Sequence, residues 1–292
     1  DCSIKIGNNG NVAVKVGTQS NGQGHETSFA QILTEVLGVG IDQIDIIQGN
    51  SKEIKKGSGT AGSRSTPVGG SSLFLAAQNL IKNAKNFLAK DLKIDKEKIS
   101  FENGSFQLND RTLSLAEVSV SMEKKGESFE TDNSWAPATG TFTYPNGTHI
   151  CEVEIDKYTG FVEIVSYTVV DDFGKVINPL LLEGQVHGGV VQGIGQALFE
   201  ETIFDKDSGQ LLSGSFMDYA IPRASDIPEI KFKYNEIPCA NNILGVKGAG
   251  EAGAIGAPPA VINAICNALN IDHIDMPAKS EKIWKILKNV KP

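Results

Sequence analysis

DCSIKIGNNGNVAVKVGTQSNGQGHETSFAQILTEVL (residues 1–37) contains both periodicities on which the fold class turns. Ile4 and Ile6, then Val12, Val14 and Val16, recur at every second position, as in two paired strands with one buried face. From His25 the period lengthens, and Phe29, Ile32, Leu33, Val36 and Leu37 share one face of a helix over His25–Leu37. The same mixture recurs downstream. Ile44–Gln48 reads as a strand, about Ser71 to Lys90 as a helix with Leu73, Leu80, Phe87 and Leu88 on its apolar face, 99–113 as a hairpin around Asn103-Gly104, and Leu113–Lys124 as a helix. A second hairpin, Ile150–Ile155 and Phe161–Val170, is followed by a glycine-rich helix within Leu180–Glu201 and a strand over Glu229–Pro238. Pro258-Pro259 then opens a helix running to Leu269, since proline is tolerated in a first turn, and Lys279–Leu287 forms a last amphipathic helix. Strands and helices mix without strict alternation, which predicts an α+β fold of mixed sheets and packed helices. Two lobes are expected, 1–125 and 150–292, joined by a pattern-poor link at 126–149 that contains Trp135, Pro137 and Pro145.

The 292 residues suffice for one large domain or two modest ones, each with its own core. A net charge of -8 with no basic stripe argues against nucleic acid and anionic membrane surfaces as partners. No apolar stretch is read as approaching the roughly 18 residues of a membrane span. Cys2, Cys151, Cys239 and Cys266 are scattered, which fits a reducing compartment and a cytoplasmic location better than a disulfide framework or a zinc site. The four histidines form no H-E-x-x-H pair, so a metal held directly by side chains is not expected. The chain opens at Asp1 inside strand pattern without a recognisable signal peptide, the expectation being a fragment of a longer chain or a processed piece.

Glycine marks the places of interest. Its share, 31 of 292, is about 11% against an ordinary share of about 7%. Seventeen of these glycines fall within 22–24, 57–70, 184–195 and 245–256, where even spreading would put about four. Gly57-Ser58-Gly59-Thr60-Ala61-Gly62-Ser63-Arg64-Ser65 follows a strand and precedes a helix. Such a loop is either a flexible connection or an anion cradle, in which bare backbone N–H groups, hydroxyls and a fork-shaped guanidinium converge on phosphate. It falls short of a Walker A loop, because Ser63-Arg64 stands where Lys-Ser/Thr is needed. Gln23 stands at a helix start, either in an ordinary tight turn or as a side-chain amide able to donate and accept toward a ligand. The glycines around Gln185 penetrate a helix at ~1 kcal/mol each relative to alanine, a cost tolerated where another helix or a cofactor meets the backbone. Gly22-Gln23-Gly24-His25 and Gly184-Gln185-Val186-His187 echo one another weakly. Glu251 sits in a loop of small residues ahead of a helix, either complementing the helix dipole or serving as a general base beside space for a substrate.

Taken together, these windows resemble the C-terminal part of the molybdenum-binding large subunit of the xanthine dehydrogenase, aldehyde oxidase and aerobic carbon monoxide dehydrogenase family. The resemblance runs in order along the whole chain. It is carried by Gly22–Thr27, Gly62–Ser65, Val170-Asp171-Asp172-Phe173-Gly174, Asn178-Pro179, Gly184–Gly189, Gly214-Ser215-Phe216-Met217-Asp218-Tyr219 and Gly248-Ala249-Gly250-Glu251. It implies the molybdenum-cofactor-binding fold, Glu251 as catalytic base, and cofactor contacts from Gln23, Gly24, Gly62, Ser63, Arg64, Ser65 and Gln185. It implies a molybdopterin whose bacterial form usually carries a cytosine dinucleotide, and hydroxylation of an aldehyde, an N-heterocycle or carbon monoxide with water as oxygen source. Implied partners are the N-terminal portion of the same large subunit, a [2Fe-2S] small subunit and a medium subunit carrying FAD, assembled as a dimer of heterotrimers. The family's large subunit is considerably longer, so these residues alone are expected to hold half a cofactor site and to be inactive. Two other readings stay open: a P-loop-like nucleotide hydrolase using Gly57–Ser65 with Val169-Val170-Asp171 as a Walker-B-like strand end, and a non-catalytic assembly fragment.

Overall fold

The computed structural model describes residues 1–109, 111–138 and 142–288. Residue 110, inside the predicted hairpin 99–113, and residues 139–141, inside the predicted link, lie outside the described residues. Among the described residues the order of regular elements is β1 (Cys2–Ile6), β2 (Val12–Val16), α1 (His25–Leu37), β3 (Ile44–Ile47), α2 (Ser71–Leu92), β4 (Ser100–Glu102), β5 (Ser105–Leu108), β6 (Arg111–Ser114), α3 (Leu115–Lys124) and β7 (Glu130–Asn133). The second half adds β8 (Asn146–Ile155), β9 (Val162–Asp172), α4 (Pro179–Leu198), β10 (Ile230–Asn235), α5 (Ala252–Leu269) and α6 (Ser280–Leu287). Two sheets are mixed and the third is wholly antiparallel, which is the α+β architecture.

The chain divides into two compact units. The first comprises Asp1–Tyr144, Gly174–Asn178 and Pro238–Gly248, and the second Pro145–Phe173, Pro179–Ile237 and Ala249–Pro292. In the first, the sheet order is β3-β2-β1-β7, with β2 and β3 parallel and the other pairs antiparallel. Ile4, Ile6, Val12, Val14 and Val16 all point to one buried face, where they meet Phe29, Leu33 and Leu37 of α1 and Leu73, Leu80 and Leu88 of α2. β7 lies within the segment read as a link: Thr131 pairs with Ile4, so part of that segment is an edge strand of the first sheet. The hairpin at Asn103-Gly104 carries a third strand, β6, whose last residue Ser114 caps α3 in a capping box with Glu117. Ile177 and Leu244, from the two later stretches, pack on the same core.

In the second unit the sheet order is β10-β9-β8, with β10 parallel to β9. Register shifts between Glu152 and Val153: Glu152 pairs with Ser166 but Val153 with Ile164. Val165 is therefore the extra residue of a bulge, and the buried positions of β9 pass from Val162 and Ile164 to Tyr167, Val169 and Asp171.

Helix α5 departs from the sequence reading. It begins at Ala252, six residues before Pro258, and both prolines lie inside it. At 18 residues with a mean hydropathy of 1.3, it is long and apolar enough by composition to cross a membrane, which corrects the expectation of no such stretch. The doublet Pro258-Pro259 had suggested a helix too short to qualify. Tertiary packing overrides that local signal. A Cβ on Gly253 would lie 2.6 Å from the Val186 carbonyl oxygen and the Val190 nitrogen of α4, and one on Gly193 would meet Ala257 and Pro258 at 2.7 and 2.8 Å. Four of the five glycines of α4 thus split into two kinds. Gly189 and Gly193 seat α5, whereas a Cβ on Gly184 or Gly188 would meet nothing within 4 Å. Gly253→Ala should lower stability by at least the ~1–3 kcal/mol of an overpacked core, because backbone cannot rotate away. Gly184→Ala should raise it by up to ~1 kcal/mol through helix propensity. Denaturant midpoints of the two variants check this.

Candidate functional site

In the first unit, Gln23 and the loop Gly57–Ser65 are drawn together by one hydroxyl. Thr60 Oγ1 accepts from the Gln19 N–H at 3.2 Å, donates to the Gln19 carbonyl at 2.6 Å, and lies 2.9 Å from the buried Ser65 hydroxyl, which can donate to it. The Gln23 amide folds back on the same turn: its Oε1 accepts from the Asn21 N–H and its Nε2 donates to the Gln19 carbonyl at 3.3 Å. Gln19 and Thr60 therefore organise both candidate loops, although the sequence singled out neither residue. Gly24 occupies the N-cap of α1 in the left-handed conformation with no side-chain cap, so the first turn keeps its N–H groups uncapped by side chains.

His25, next along, is buried, stacks on Phe29 at 5.0 Å and has Nδ1 3.2 Å from Gln48 Oε1. Burial holds its imidazole below the ordinary range, against the opposing pull of the Gln48 hydrogen bond and the Glu26 charge. The unfolded chain then binds the proton first as pH falls. This contribution to stability is complete above about pH 6.5 and is lost as pH drops from there toward the lowered folded value. His25→Asn should flatten that acid-side slope, read from melting temperatures between pH 7 and 5.

Gly62 and Ser63 adopt consecutive left-handed conformations, φ 61° and 52°, and no atom lies within 4 Å of where a Gly62 Cβ would sit. Arg64 is exposed, and a π-helical turn, Ser65–Gly70, intervenes between the loop and α2. Gly248 packs directly on this loop: a Cβ there would fall on the Ser63 carbonyl oxygen. Gly248 is held from behind by its own N–H, which donates to Thr143 Oγ1 at 3.4 Å. The segment leading to it is fastened by Asn242, whose buried side chain donates to the Val246 carbonyl at 2.8 Å and accepts from the Val246 N–H at 3.2 Å. Two glycine windows far apart in sequence thus meet backbone to backbone.

The second unit carries Gln185 and Glu251. Gln185 lies in the second turn of α4, not at a helix start as the weak echo with Gln23 had suggested. Glu251 is the N-cap of α5, its carbonyl accepting from the Ile255 N–H at 3.0 Å, and its carboxylate is exposed in this chain. The Gly189–Gly253 contact brings the helices bearing Gln185 and Glu251 together. Asp171, the acidic residue of the Walker-B-like reading, is buried and bonded to His149, so it is not offered to a magnesium ion. Among the described residues no group of three histidine, cysteine or acidic side chains could hold a metal ion.

The family profile described as molybdopterin cofactor-binding domain matches residues 1–228. The chain belongs to that family. It is 32% identical over 298 residues to the carbon monoxide dehydrogenase large chain of Hydrogenophaga pseudoflava, covering 98% of this chain and 37% of the relative. It is 35% identical over 300 residues to the nicotine 6-hydroxylase large subunit of Paenarthrobacter nicotinovorans, covering 99% of this chain and 37% of that subunit. A crystal structure of a Cu,Mo-CO dehydrogenase in a carbon monoxide reduced state superposes with a TM-score of 0.89 at 33% identity, over 99% of this chain and 37% of that one. The chain thus spans a little over a third of the length of the relatives it matches. Family membership and the fold agree with the resemblance drawn from the glycine windows.

Because a Cβ on Gly248 would fall on the Ser63 carbonyl oxygen, Gly248→Ala should displace the Gly62–Ser65 loop outright. Thr60→Val should cost about 1 kcal/mol per hydrogen bond lost. Both effects are measurable as lowered melting temperature and faster amide exchange across 19–23 and 60–65.

Proposed function

We propose that this chain is the cofactor-facing C-terminal portion of a molybdenum hydroxylase large chain, with Glu251 as general base. The observation that carries the reading is a set of bare backbone surfaces in a molybdopterin cofactor-binding family. Gly184 and Gly188 have open space where a Cβ would stand and lie in helical backbone, so neither packing nor conformation within the chain explains them; Gly22 and Gly62 are equally open, but their left-handed backbone already calls for glycine. Smooth backbone of this kind fits a large planar cofactor with a phosphate-bearing tail, and the residues present suit that group. Gln23 and Gly24, the loop Gly62-Ser63-Arg64-Ser65, and Gln185 would hold it. Uncapped N–H groups at the start of α1 and the Arg64 guanidinium suit phosphate oxygens, with a cytosine dinucleotide as the form we favour. Bound there, the molybdenum group supplies two-electron oxidation with water as the oxygen source.

What this chain contributes is proton handling and placement. Glu251, at a helix N-cap among Gly248, Ala249, Gly250 and Ala252, has small neighbours that leave room for a substrate at its carboxylate. The substrate class we favour is an aldehyde, an N-heterocycle or carbon monoxide. The partners would be the remaining portion of the large chain, a [2Fe-2S] subunit and an FAD subunit in a dimer of heterotrimers, located in the cytoplasm, where the four free cysteines would stay reduced. In the complete enzyme, Glu251→Gln should leave molybdenum content unchanged and cut turnover by ~100–10,000-fold. Near-normal turnover in that variant would sink the base assignment.

A further inference from the structure

The second unit buries a polar chain that the proposed chemistry does not touch. His149 on β8 has Nδ1 2.8 Å from the Tyr167 hydroxyl and Nε2 3.4 Å from Asp171 Oδ2. Tyr167 is fully buried, and the side chains of His149 and Asp171 are only 8% and 5% exposed. Burial, reinforced by the nearby Cys151 and Asp171, pushes the Tyr167 phenol up, so it keeps its proton; a carboxylate only accepts, which puts the ring proton on Nε2 toward Asp171 and leaves Nδ1 to accept from the hydroxyl. Both ends of the imidazole are thereby tied, and the ring is fixed in its rotation. The bulge at Val165 makes this possible, since it is what turns Tyr167 and Asp171 to the buried side of the sheet.

The face of that ring is the seat of α5. A Cβ on Gly256 would lie 2.6 Å from His149 Cε1 and Nε2 and 2.7 Å from Nδ1, so helix backbone rests on imidazole with no side chain between them. Gly253, one turn earlier, rests on the backbone of α4. Glu251 precedes these two seats by two and five residues and is the N-cap of the same helix. An apolar trio of similar volume would support a helix without the cost of burying a carboxylate and an imidazole. What the polar chain adds is a fixed ring plane.

We infer that Tyr167, His149 and Asp171 are positioning residues: they set the orientation of the imidazole on which α5 rests, and through α5 the placement of the Glu251 carboxylate. The inference depends on Glu251 being the base. The experiment uses the complete molybdenum enzyme with Tyr167→Phe, which removes one hydroxyl and keeps the ring, and separately Gly256→Ala, which lifts the helix off the imidazole. Misplacing a catalytic group by about 1 Å can cost ~100-fold, so kcat should fall by ~10–100-fold in both variants. KM and molybdenum content should stay within about twofold, and amide exchange should quicken over Ala252–Ala257. A kcat within about twofold of the parent, or a loss confined to KM or to molybdenum content, overturns the positioning role even if melting temperature drops. Glu251→Gln in the same series separates the two claims. If that variant turns over normally, the base reading fails; if it is dead while Tyr167→Phe and Gly256→Ala keep their kcat, only the positioning inference fails.

Discussion

Direct contact between stretches of backbone, with no side chain interposed, is the constraint on which this structure depends. It occurs where Gly253 meets α4 and where Gly248 meets the Ser63 carbonyl, and Gly256 likewise lays bare helix backbone on the plane of the His149 ring. Each contact trades conformational entropy and helix propensity for a separation that no other residue allows. The candidate residues are found beside these contacts. Gln185 is on the helix that receives Gly253, Ser63 and Arg64 are in the loop that receives Gly248, and Glu251 caps the helix that carries both Gly253 and Gly256. Close packing of this kind has few soft degrees of freedom, which is how a site made largely of loops acquires fixed geometry.

Beside these seats stands a second population of glycines with nothing against them. Apart from left-handed turns such as those at Gly24 and Gly62, the excess in composition therefore had two physical causes that look identical in sequence. Gly189 and Gly193 are spent on packing, whereas Gly184 and Gly188, in the same helix, face open space. Only coordinates separate the two, because the deciding quantity is the position of a Cβ that is not there.

Much of the rest was legible. The alternation of Ile4 to Val16 reappears as β1 and β2, and the helix over His25–Leu37 reappears with the same bounds, because one strongly apolar face leaves a clean period in sequence. Candidate loops were legible as glycine runs, but not the bonds that organise them, since the Thr60 hydroxyl meets backbone groups of Gln19 that any residue possesses. The start of α5 was misread because Pro258-Pro259 is a strong local signal, and the opposing force, packing on α4 and His149, comes from residues 60 to 110 positions away. The bulge at Val165 was hidden for a related reason: a change of parity within a strand reads as lost alternation. Asp171 stood out only as part of a motif and of a Walker-B-like strand end, and its link to His149 and Tyr167 left no trace, since it exists only once β8 and β9 pair.

The membership of Pro238–Gly248 in the first unit has a consequence for how the protein is made. Synthesis delivers Ser63 and its loop long before Gly248, the residue on which they rest, has been translated. At about 5–20 residues per second, roughly 185 intervening residues take on the order of ten seconds or more to appear. During that interval the loop must wait without its seat, while the β1–β2 hairpin and the helices packed on it can already form. The N-terminal unit is therefore completed by one of the later pieces of the chain, and a ribosome stalled before Gly248 would hold a core that is assembled beside an unfinished Gly62–Ser65 loop.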